Sequence, residues 1–395
     1  MRRIFGILTG VLCTIVLVAG VAMASYSYGA QQGGSGPVGL PTPDGSAEHS
    51  ELGSTVDELY DHLLEHAVEA PDGDILIRAA LEAMLEELDD PYAVYYDAGE
   101  YASFNEMLDG SLSGVGMALE EAPDGVTVVT VFPDTPADEA GVEVGEIIVS
   151  VDGDDVADMP VDAVAERVRG DEGTDVTLGL AGGDEGDREL TLTRAEITIP
   201  SVETTMLDSG AGHVQLYNFT SNAGEQIEAE VTELLDEGAN GIILDLRSNP
   251  GGLLDQAVDV TSVFLDADEV VRVQEADEDM RVLRATTGGF TDVPLVVLVD
   301  EASASASEIV AGAIQDADRG RIVGTHTFGK GTVQTVRSLA DGSGAKFTTA
   351  KYFTPSGDSI EGTGVEPDVE TGADPDEQLT AAEAELDAIV AQVAR

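Results

Sequence analysis

The sequence predicts an α/β protein that carries an inserted β-rich domain and a small helical unit on its N-terminal side. Apolar residues recur at helical spacing over residues 51–112, interrupted by the proline-containing segment DDPYAVYY. Short strands separated by glycine and aspartate turns follow over residues 113–195. Strands and helices then alternate over residues 196–372, and an acidic amphipathic helix over residues 373–395 ends the chain.

The first 24 residues predict a membrane anchor or a signal peptide. Residues 4–24 carry no charge, and a helix of this length spans about 31 Å, enough for the core of a bilayer. Arg2 and Arg3 precede this segment and favour a cytoplasmic N-terminus, with the bulk of the chain outside the cytoplasm. The sequence AMA also resembles a signal-peptidase site, so cleavage after Ala24 and secretion are the alternative. Residues 25–50 are rich in Gly, Pro and Ser, as is typical of a flexible linker.

The charge balance excludes several classes of partner. The chain has 77 acidic and 18 basic residues, a formal net charge of −59. Such a surface repels nucleic acid and anionic lipid, and it suits a halophilic environment in which salt screens the self-repulsion. Cys13 is the only cysteine, which excludes an intramolecular disulfide, and His62 and His66 have no obvious third metal ligand. We therefore predict no metal and no other cofactor.

Three serines follow the apolar segment PLVVLVD, residues 294–300, and precede a helical pattern. Ser305 and Glu308 fit the capping box S-x-x-E, whereas Ser303 and Ser307 have neither Glu nor Gln three residues on. Taken alone, this pattern favours a helix cap for Ser305, worth about 1 kcal/mol. The same position holds the hydroxyl at the positive end of a helix, where a tetrahedral oxyanion would be stabilised. Ser305 is therefore also a candidate nucleophile.

A serine nucleophile needs a base, and the scarcity of lysine indicates one. Lys330 is one of three lysines in the chain and lies in the apolar, glycine-bounded segment TFGKGTVQ. Burial there would lower the pKa of its amine towards that of a useful general base. Thr332 and Gln334 share its face of a predicted strand, so Gln334 could orient the amine. His213 and His326 lie in the same region, and neither has an obvious aspartate partner in the sequence.

Two glycine-containing segments could bind substrate through backbone N–H groups. In DLRSNPGGLLDQAV, residues 245–258, the glycines could bring N–H groups close to a reacting carbonyl, although an ordinary βα turn explains this motif equally well. In SGVGMAL, residues 113–119, N–H groups could converge on a carboxylate beside a groove that accepts an extra strand. Together with PADEAGVEVGEIIVSVDG, residues 136–153, this loop resembles the signature of PDZ domains, which bind peptide C-termini.

Considered together, these segments resemble the C-terminal processing (tail-specific) serine peptidases, which combine a PDZ domain with a Ser/Lys peptidase. The resemblance rests on the motifs LDDPYAVYY, SGVGMAL, RVRGDEGTDVTL, DLRSNPGG, SASASEIVAGAIQD, TFGKGTVQ and KYFTPSGDSIEGTGVEPD. The chain departs from the family at residues 324–327, which read GTHT where GEPT is common, and at Ala302, where glycine is usual. Neither departure removes a catalytic group.

The resemblance implies a crotonase/Clp-like α/β peptidase core and assigns its site residues. Ser305 would be the nucleophile, Lys330, 25 residues later, the general base, and Gln334 the residue that supports it. The backbone N–H groups of Ala306 and of either Gly251 or Gly252 would form the oxyanion hole. The C-terminus of the substrate would be bound by Ser113, Gly114, Val115, Gly116 and Met117, with Arg169 as a candidate for sensing the substrate.

The leading hypothesis is thus a membrane-anchored serine endopeptidase that recognises apolar C-terminal tails of protein or peptide substrates and cleaves through an acyl-enzyme. A non-catalytic PDZ pseudopeptidase that captures tails is the first alternative, and a serine hydrolase that uses His326 is the second. The sequence is compatible with a homo-oligomer. Because the net negative charge favours protonated Lys330, we expect activity to rise with salt and towards alkaline pH.

Overall fold

The computed structural model describes residues 46–393, apart from residues 70, 123–124, 158, 183–185, 199–200, 277 and 287–288. The predicted anchor, residues 1–24, and most of the predicted linker lie outside this part of the chain. Within it, no helix is long and apolar enough to cross a membrane. The described residues form two compact units. One comprises Ser103–Glu203 with Thr220–Ala223, and the other comprises the remainder.

The N-terminal elements belong mainly to the second unit, although the sequence predicts a separate helical unit up to residue 112. They are helix α1 (Ser46–His66), helix α2 (Gly73–Glu86), strand β1 (Val94–Tyr96) and helix α3 (Ala98–Asp109). Asp72 caps α2 by accepting a hydrogen bond from the backbone N–H of Asp74. The proline-containing segment that interrupts the helical pattern forms β1, which pairs antiparallel with residues 344–346.

The first unit is rich in strands, as the sequence predicts. Its elements are β2 (Ser111–Gly114), β3 (Met117–Ala122), β4 (Gly125–Val131), α4 (Pro136–Glu139), β5 (Ile147–Val151), β6 (Asp154–Asp155), α5 (Val161–Val168), β7 (Asp175–Ala181), β8 (Arg188–Thr193) and β9 (Ala195–Thr198). One sheet has the order β3-β4-β5-β7-β8 with β6 beside β5, and β2 pairs with β9. Alternating apolar residues of β4, β5 and β7 form its core with Val164 of α5.

The second unit contains the predicted α/β alternation. Its further elements are β10 (Val202–Met206), β11 (Gly212–Leu216), α6 (Ala223–Asp236), β12 (Ile242–Asp245), α7 (Leu254–Phe264), β13 (Glu269–Glu275), β14 (Arg281–Arg284), β15 (Leu295–Val299), α8 (Ala306–Asp316), β16 (Arg321–Gly324), β17 (Thr332–Ser338), β18 (Gly344–Phe353), β19 (Val369–Glu370) and α9 (Pro375–Val393). A six-stranded sheet has the order β10-β11-β12-β15-β16-β19. Apolar residues of α9, including Ala382 and Leu386, pack against this sheet.

Parallel pairing places two loops at one edge of this sheet. Strands β12 and β15 are parallel neighbours, with Ile242 opposite Leu295. All five residues of β15 are buried, as expected for the centre of a sheet covered on both faces. The loop after β12 contains Gly251 and Gly252, and the loop after β15 contains Ser305. Because parallel strands end at the same edge, the two loops lie side by side, where ligands bind in open α/β sheets.

A second, antiparallel sheet of this unit positions Lys330 and Gln334. Strand β18 pairs with β17 along one edge and with β13 and β1 along the other. Lys330 precedes the first residue of β17, Thr332, so the predicted strand begins later than its sequence pattern indicates. A bulge falls between Val333 and Gln334.

Candidate active site

Ser305 is the N-cap of α8, as its capping pattern predicts, but its backbone is unusual. Its φ and ψ are 57° and −109°, whereas an ordinary N-cap residue is extended. A non-glycine residue in the left-handed region is strained, and such strain concentrates at functional sites. The Ser305 side chain is buried, with 3% of its surface exposed.

The carboxylate of Glu308 connects the serine segment to the lysine segment. Its Oε2 accepts hydrogen bonds from the backbone N–H of Ser305 at 2.8 Å and from that of Lys330 at 2.9 Å. Its Oε1 accepts from the Thr327 hydroxyl at 2.6 Å and from the Gly329 N–H at 2.7 Å. Glu308 is fully buried, and this burial raises the pKa of its carboxyl. One side chain therefore fixes the backbone on both sides of the site.

The two neighbouring serines are held by hydrogen bonds to backbone oxygens. The Ser303 hydroxyl donates to the backbone oxygen of Leu246 at 2.7 Å, and the Ser307 hydroxyl donates to that of Asn249 at 2.9 Å. Both serines are fully buried. They attach the start of α8 to the loop that follows β12, which leaves Ser305 as the serine facing the cleft.

A small cleft surrounds Ser305. Its lining consists of Gly252, Leu254, Ser305, Ala306, Ile309, Thr332, Val333 and Tyr352. Leu254, Ala306, Ile309 and Val333 give the cleft a largely apolar lining. Ala306 is the first residue of α8, where a backbone N–H has no acceptor within the helix. The predicted oxyanion donors Ala306 and Gly252 thus share a cleft with the serine.

Gly251 lies directly against the serine. A Cβ atom added to Gly251 would lie 3.0 Å from Ser305 Cβ and 3.1 Å from the Ala306 backbone nitrogen, and the φ of Gly251 is 109°. Only glycine fits this conformation and this close approach. The N–H of Gly251 donates to Asn249 Oδ1 at 2.9 Å, while Gly252 forms a bridge with Phe219.

Lys330 is buried, as its sequence environment predicts, with 5% of its surface exposed. Burial lowers the pKa of its amine to about 8, although the charges of Glu361, Glu308 and Asp90 act in the opposite direction. Its Nζ lies 4.4 Å from the ring centroid of Tyr92, a cation–π distance. The desolvation of the amine therefore outweighs the negative charge around it.

Gln334 is buried beside the lysine segment and has an unused acceptor. Its Nε2 donates to Thr332 Oγ1 at 2.9 Å and to Thr348 Oγ1 at 3.3 Å, which confirms that Thr332 and Gln334 share one face. Its Oε1 is buried and accepts no hydrogen bond from any residue in the described part of the chain. A buried amide oxygen without a donor is costly, and a lysine ammonium would satisfy it.

Tyr352 is a site residue that the sequence analysis does not single out. It is fully buried, its hydroxyl donates to the backbone oxygen of Lys330, and it also contacts the Ser305 side chain. Burial raises the pKa of the phenol well above its usual value, so the group is neutral. The segment KYFTPSG contains this tyrosine, but neither its periodicity nor its spacing indicates a contact with Ser305 or Lys330.

The two histidines of this unit have different partners. His213 Nε2 lies 2.9 Å from Asp245 Oδ2, a pairing that the sequence does not reveal. Arg247 also binds Asp245 through its guanidinium, so this fully buried carboxylate serves both residues. His326 Nδ1 lies 3.1 Å from the backbone oxygen of Thr327. Among the described residues, no carboxylate is hydrogen-bonded to the His326 ring.

The predicted tail-binding residues all belong to the β-rich unit. Ser113 and Gly114 end β2, Met117 begins β3, and the Ser113 hydroxyl donates to the backbone oxygen of Gly170 at 2.6 Å. Val115 is buried in the core, and its backbone oxygen accepts from Ala137. Gly116 has a φ of 84°, and a Cβ there would lie 2.2 Å from Thr135 Cβ.

Helix α5 packs against β3, the strand that begins at Met117 of this loop. Arg169 follows the last residue of α5 and is exposed. Its neighbour Gly170 is the residue that holds Ser113. The loop and the candidate sensor thus lie close together within one unit.

Comparison with known families agrees with both parts of this description. The model of peptidase family S41 matches residues 210–371, and a PDZ domain model matches residues 127–181. These ranges cover the α/β sheet with the Ser305 and Lys330 segments, and most of the β-rich sheet. The chain belongs to the S41 family of C-terminal processing peptidases.

Individual relatives match over most of the chain. The carboxy-terminal processing protease CtpA of Bacillus subtilis is 33% identical over 315 residues, which cover 80% of this chain and 68% of the relative. A probable CtpA-like serine protease of Staphylococcus haemolyticus is 36% identical over 296 residues, which cover 74% of this chain and 59% of the relative. The solved photosystem II D1 C-terminal processing protease is 31% identical, with a TM-score of 0.48, over 84% of this chain and 91% of that one. The chain thus spans less than two thirds of the length of some curated relatives.

Proposed function

We propose that the protein is a serine endopeptidase that binds the apolar C-terminal tail of a protein in its PDZ domain and cleaves the chain through an acyl-enzyme. The observation that carries this proposal is the shared carboxylate of Glu308, which holds the backbone of Ser305 and of Lys330 at the same oxygen atom. The lowered pKa of Lys330 suits a general base, and the strained backbone of Ser305 is typical of a functional position.

The proposed reaction needs only groups of this chain, the substrate and water. Ser305 Oγ attacks the scissile carbonyl while its proton passes to Lys330 Nζ, and the oxyanion accepts hydrogen bonds from the N–H of Ala306 and of Gly252, because the N–H of Gly251 already donates to Asn249 Oδ1. Lys330 then donates the proton to the leaving amine. Water attacks the acyl-enzyme, loses a proton to Lys330, and Ser305 recovers its own proton as the acid leaves. The unpaired Oε1 of Gln334 would accept a hydrogen bond from the transient ammonium of Lys330.

The test compares the wild-type full chain with four variants at high salt, on a peptide that ends in apolar residues and on one that ends in charged residues. We expect the wild type to cleave the first peptide preferentially, and Ser305→Ala and Lys330→Ala to bind it without cleavage. Lys351→Ala is the matched control, because Lys351 is exposed and should tolerate the change. Cleavage by Ser305→Ala would overturn the proposal. A wild type that binds the peptide without cleaving it would instead identify a pseudopeptidase, and loss of turnover in His326→Ala alone would identify a histidine-dependent hydrolase.

We further propose that residues 1–24 anchor the protein in a membrane, with its catalytic region outside the cytoplasm. The support is their uncharged length and the two preceding arginines. Fractionation of expressing cells, followed by determination of the N-terminal residue, tests this proposal. An intact N-terminus in the membrane fraction is expected, whereas a soluble protein that begins at Ser25 would show a cleaved signal peptide.

A further inference from the structure

Lys346 is a second buried lysine in the catalytic unit, and neither its sequence pattern nor the proposed reaction accounts for it. Only 1% of its surface is exposed. It lies on β18 opposite Val336 of β17, two residues before Thr348, which lies opposite Gln334. Directly opposed residues of an antiparallel ladder share a face, as do residues two apart on one strand. Lys346 therefore lies on the face of the sheet that carries Gln334.

The segment of residues 90–96, which ends in β1, contributes an aromatic ring next to each of the two buried amines. Lys346 Nζ lies 5.5 Å from the ring centroid of Tyr96, and Lys330 Nζ lies 4.4 Å from that of Tyr92. Asp90, from the same segment, accepts hydrogen bonds from the N–H of Thr348 at 2.7 Å and from its hydroxyl at 3.1 Å. The charge of Asp90 acts on both amines and raises the pKa of each. The two lysines therefore share one low-dielectric environment and one carboxylate.

Charges of both signs act on the two amines. Lys330 faces three carboxylates, those of Glu361, Glu308 and Asp90, and each favours its protonated form. Burial and the charge of Lys330 lower the pKa of Lys346 to about 8, while the charge of Asp90 acts in the opposite direction. The neighbouring phenols are neutral near this pH, because burial raises the pKa values of Tyr92 and Tyr96, the latter to about 12. Two amines coupled in this way release their first proton at a lower pH than either would alone.

We propose that Lys346 is a positioning residue of the site, a buried cation that opposes the three carboxylates around Lys330 and keeps its amine available as a base. This role rests on the proposed function of Lys330. The coupling between the two amines does not, so it can be measured independently of activity.

The coupling can be observed directly because the chain has three lysines. Lysine labelled with ¹³C at Cε gives three resonances in the full chain, and single variants assign them. Titration of the wild type and of Lys346→Met should show that the pKa of Lys330 rises by about one unit when the second charge is removed. Lys351→Met is the matched control, since the same loss of charge at an exposed position should leave the pKa of Lys330 unchanged. An identical titration of Lys330 in the wild type and in Lys346→Met would overturn the inference.

The pH profile of kcat/KM gives a second readout. In Lys346→Met the acidic limb should move up by about one pH unit, so that activity falls about tenfold near neutral pH and recovers at alkaline pH. Lys346→Arg should keep the limb at or below its wild-type position, since its guanidinium stays charged at every pH of the profile. If Lys346→Met instead lost the same fraction of kcat/KM at every pH, Lys346 would have a structural role only. Together with an inactive Lys330→Ala protein, this result would contradict the inference. An active Lys330→Ala protein would overturn the proposed function and this role together, even where the NMR coupling is present.

Discussion

Replacing Glu308 by Gln tests how strongly one carboxylate holds the site together. The four donors that meet at Glu308 are the N–H groups of Ser305, Gly329 and Lys330 and the hydroxyl of Thr327. An amide keeps one acceptor oxygen and turns the other into a donor. The substitution therefore preserves the shape of the side chain and changes only its hydrogen bonding and charge.

The magnitude follows from the geometry. With the amide nitrogen at the Oε2 position, the N–H groups of Ser305 and Lys330 would both lose their acceptor. With the amide nitrogen at the Oε1 position, only the Gly329 N–H would lose its acceptor, because the Thr327 hydroxyl can rotate and accept a hydrogen bond from the amide instead. A buried donor without an acceptor costs about 1–3 kcal/mol, so the second orientation should prevail at about 2 kcal/mol of lost stability.

Denaturant unfolding and the pH profile of kcat/KM measure the two consequences. The charge of Glu308 raises the pKa of Lys330, so its removal should lower that pKa below about 8 and move the acidic limb of the profile to lower pH. Glu301→Gln is the control, because it removes the same charge from an exposed position. The reasoning is refuted if Glu308→Gln unfolds like the wild type, or if its acidic limb stays in place or moves to higher pH.

Four further outcomes are expected. Wild-type kcat/KM should rise about tenfold between pH 7 and pH 9, since an amine of pKa about 8 is neutral in about 9% of the molecules at pH 7 and in about 91% at pH 9; a flat profile would exclude Lys330 as the base. At constant pH, kcat/KM should increase with added salt, because screening weakens the net charge of −59 that favours the ammonium; a decrease would contradict this. Tyr352→Phe should lose about 1–3 kcal/mol in denaturant unfolding, because the buried Lys330 carbonyl loses its donor, and an unchanged midpoint would count against that contact. Gly116→Ala should weaken binding of an apolar tail peptide in calorimetry, since its Cβ would overlap Thr135, and wild-type affinity would show that the loop does not bind the tail.

The sequence predicts the elements of the fold well because their patterns are local. The capping box at Ser305 and Glu308 and the buried strand before it depend on residues within a few positions of one another, and both are present in the structure. The strand Val94–Tyr96 is not predicted, since three residues carry no usable periodicity and their pairing partner lies about 250 residues away.

The parts of the site that the sequence does not predict depend on distant contacts. The positive φ of Ser305 is set by the surrounding structure rather than by serine itself. Tyr352 meets Lys330 only because β18 returns beside the start of β17, and His213 acquires Asp245 only through parallel strand pairing. The scarcity of lysine is a signal in the composition that indicates more than the burial of Lys330, because a second of the three lysines, Lys346, is also buried.

The shared carboxylate of Glu308 also links the motions of the two catalytic segments. The amide protons of Ser305, Gly329 and Lys330 all point at one buried side chain, so none of them can meet solvent until that side chain leaves its place. Local opening of the segment around Ser305 would release the segment around Lys330 in the same event. Hydrogen exchange at these three amides would then follow a common rate, and the site would be lost and regained as a single cooperative unit.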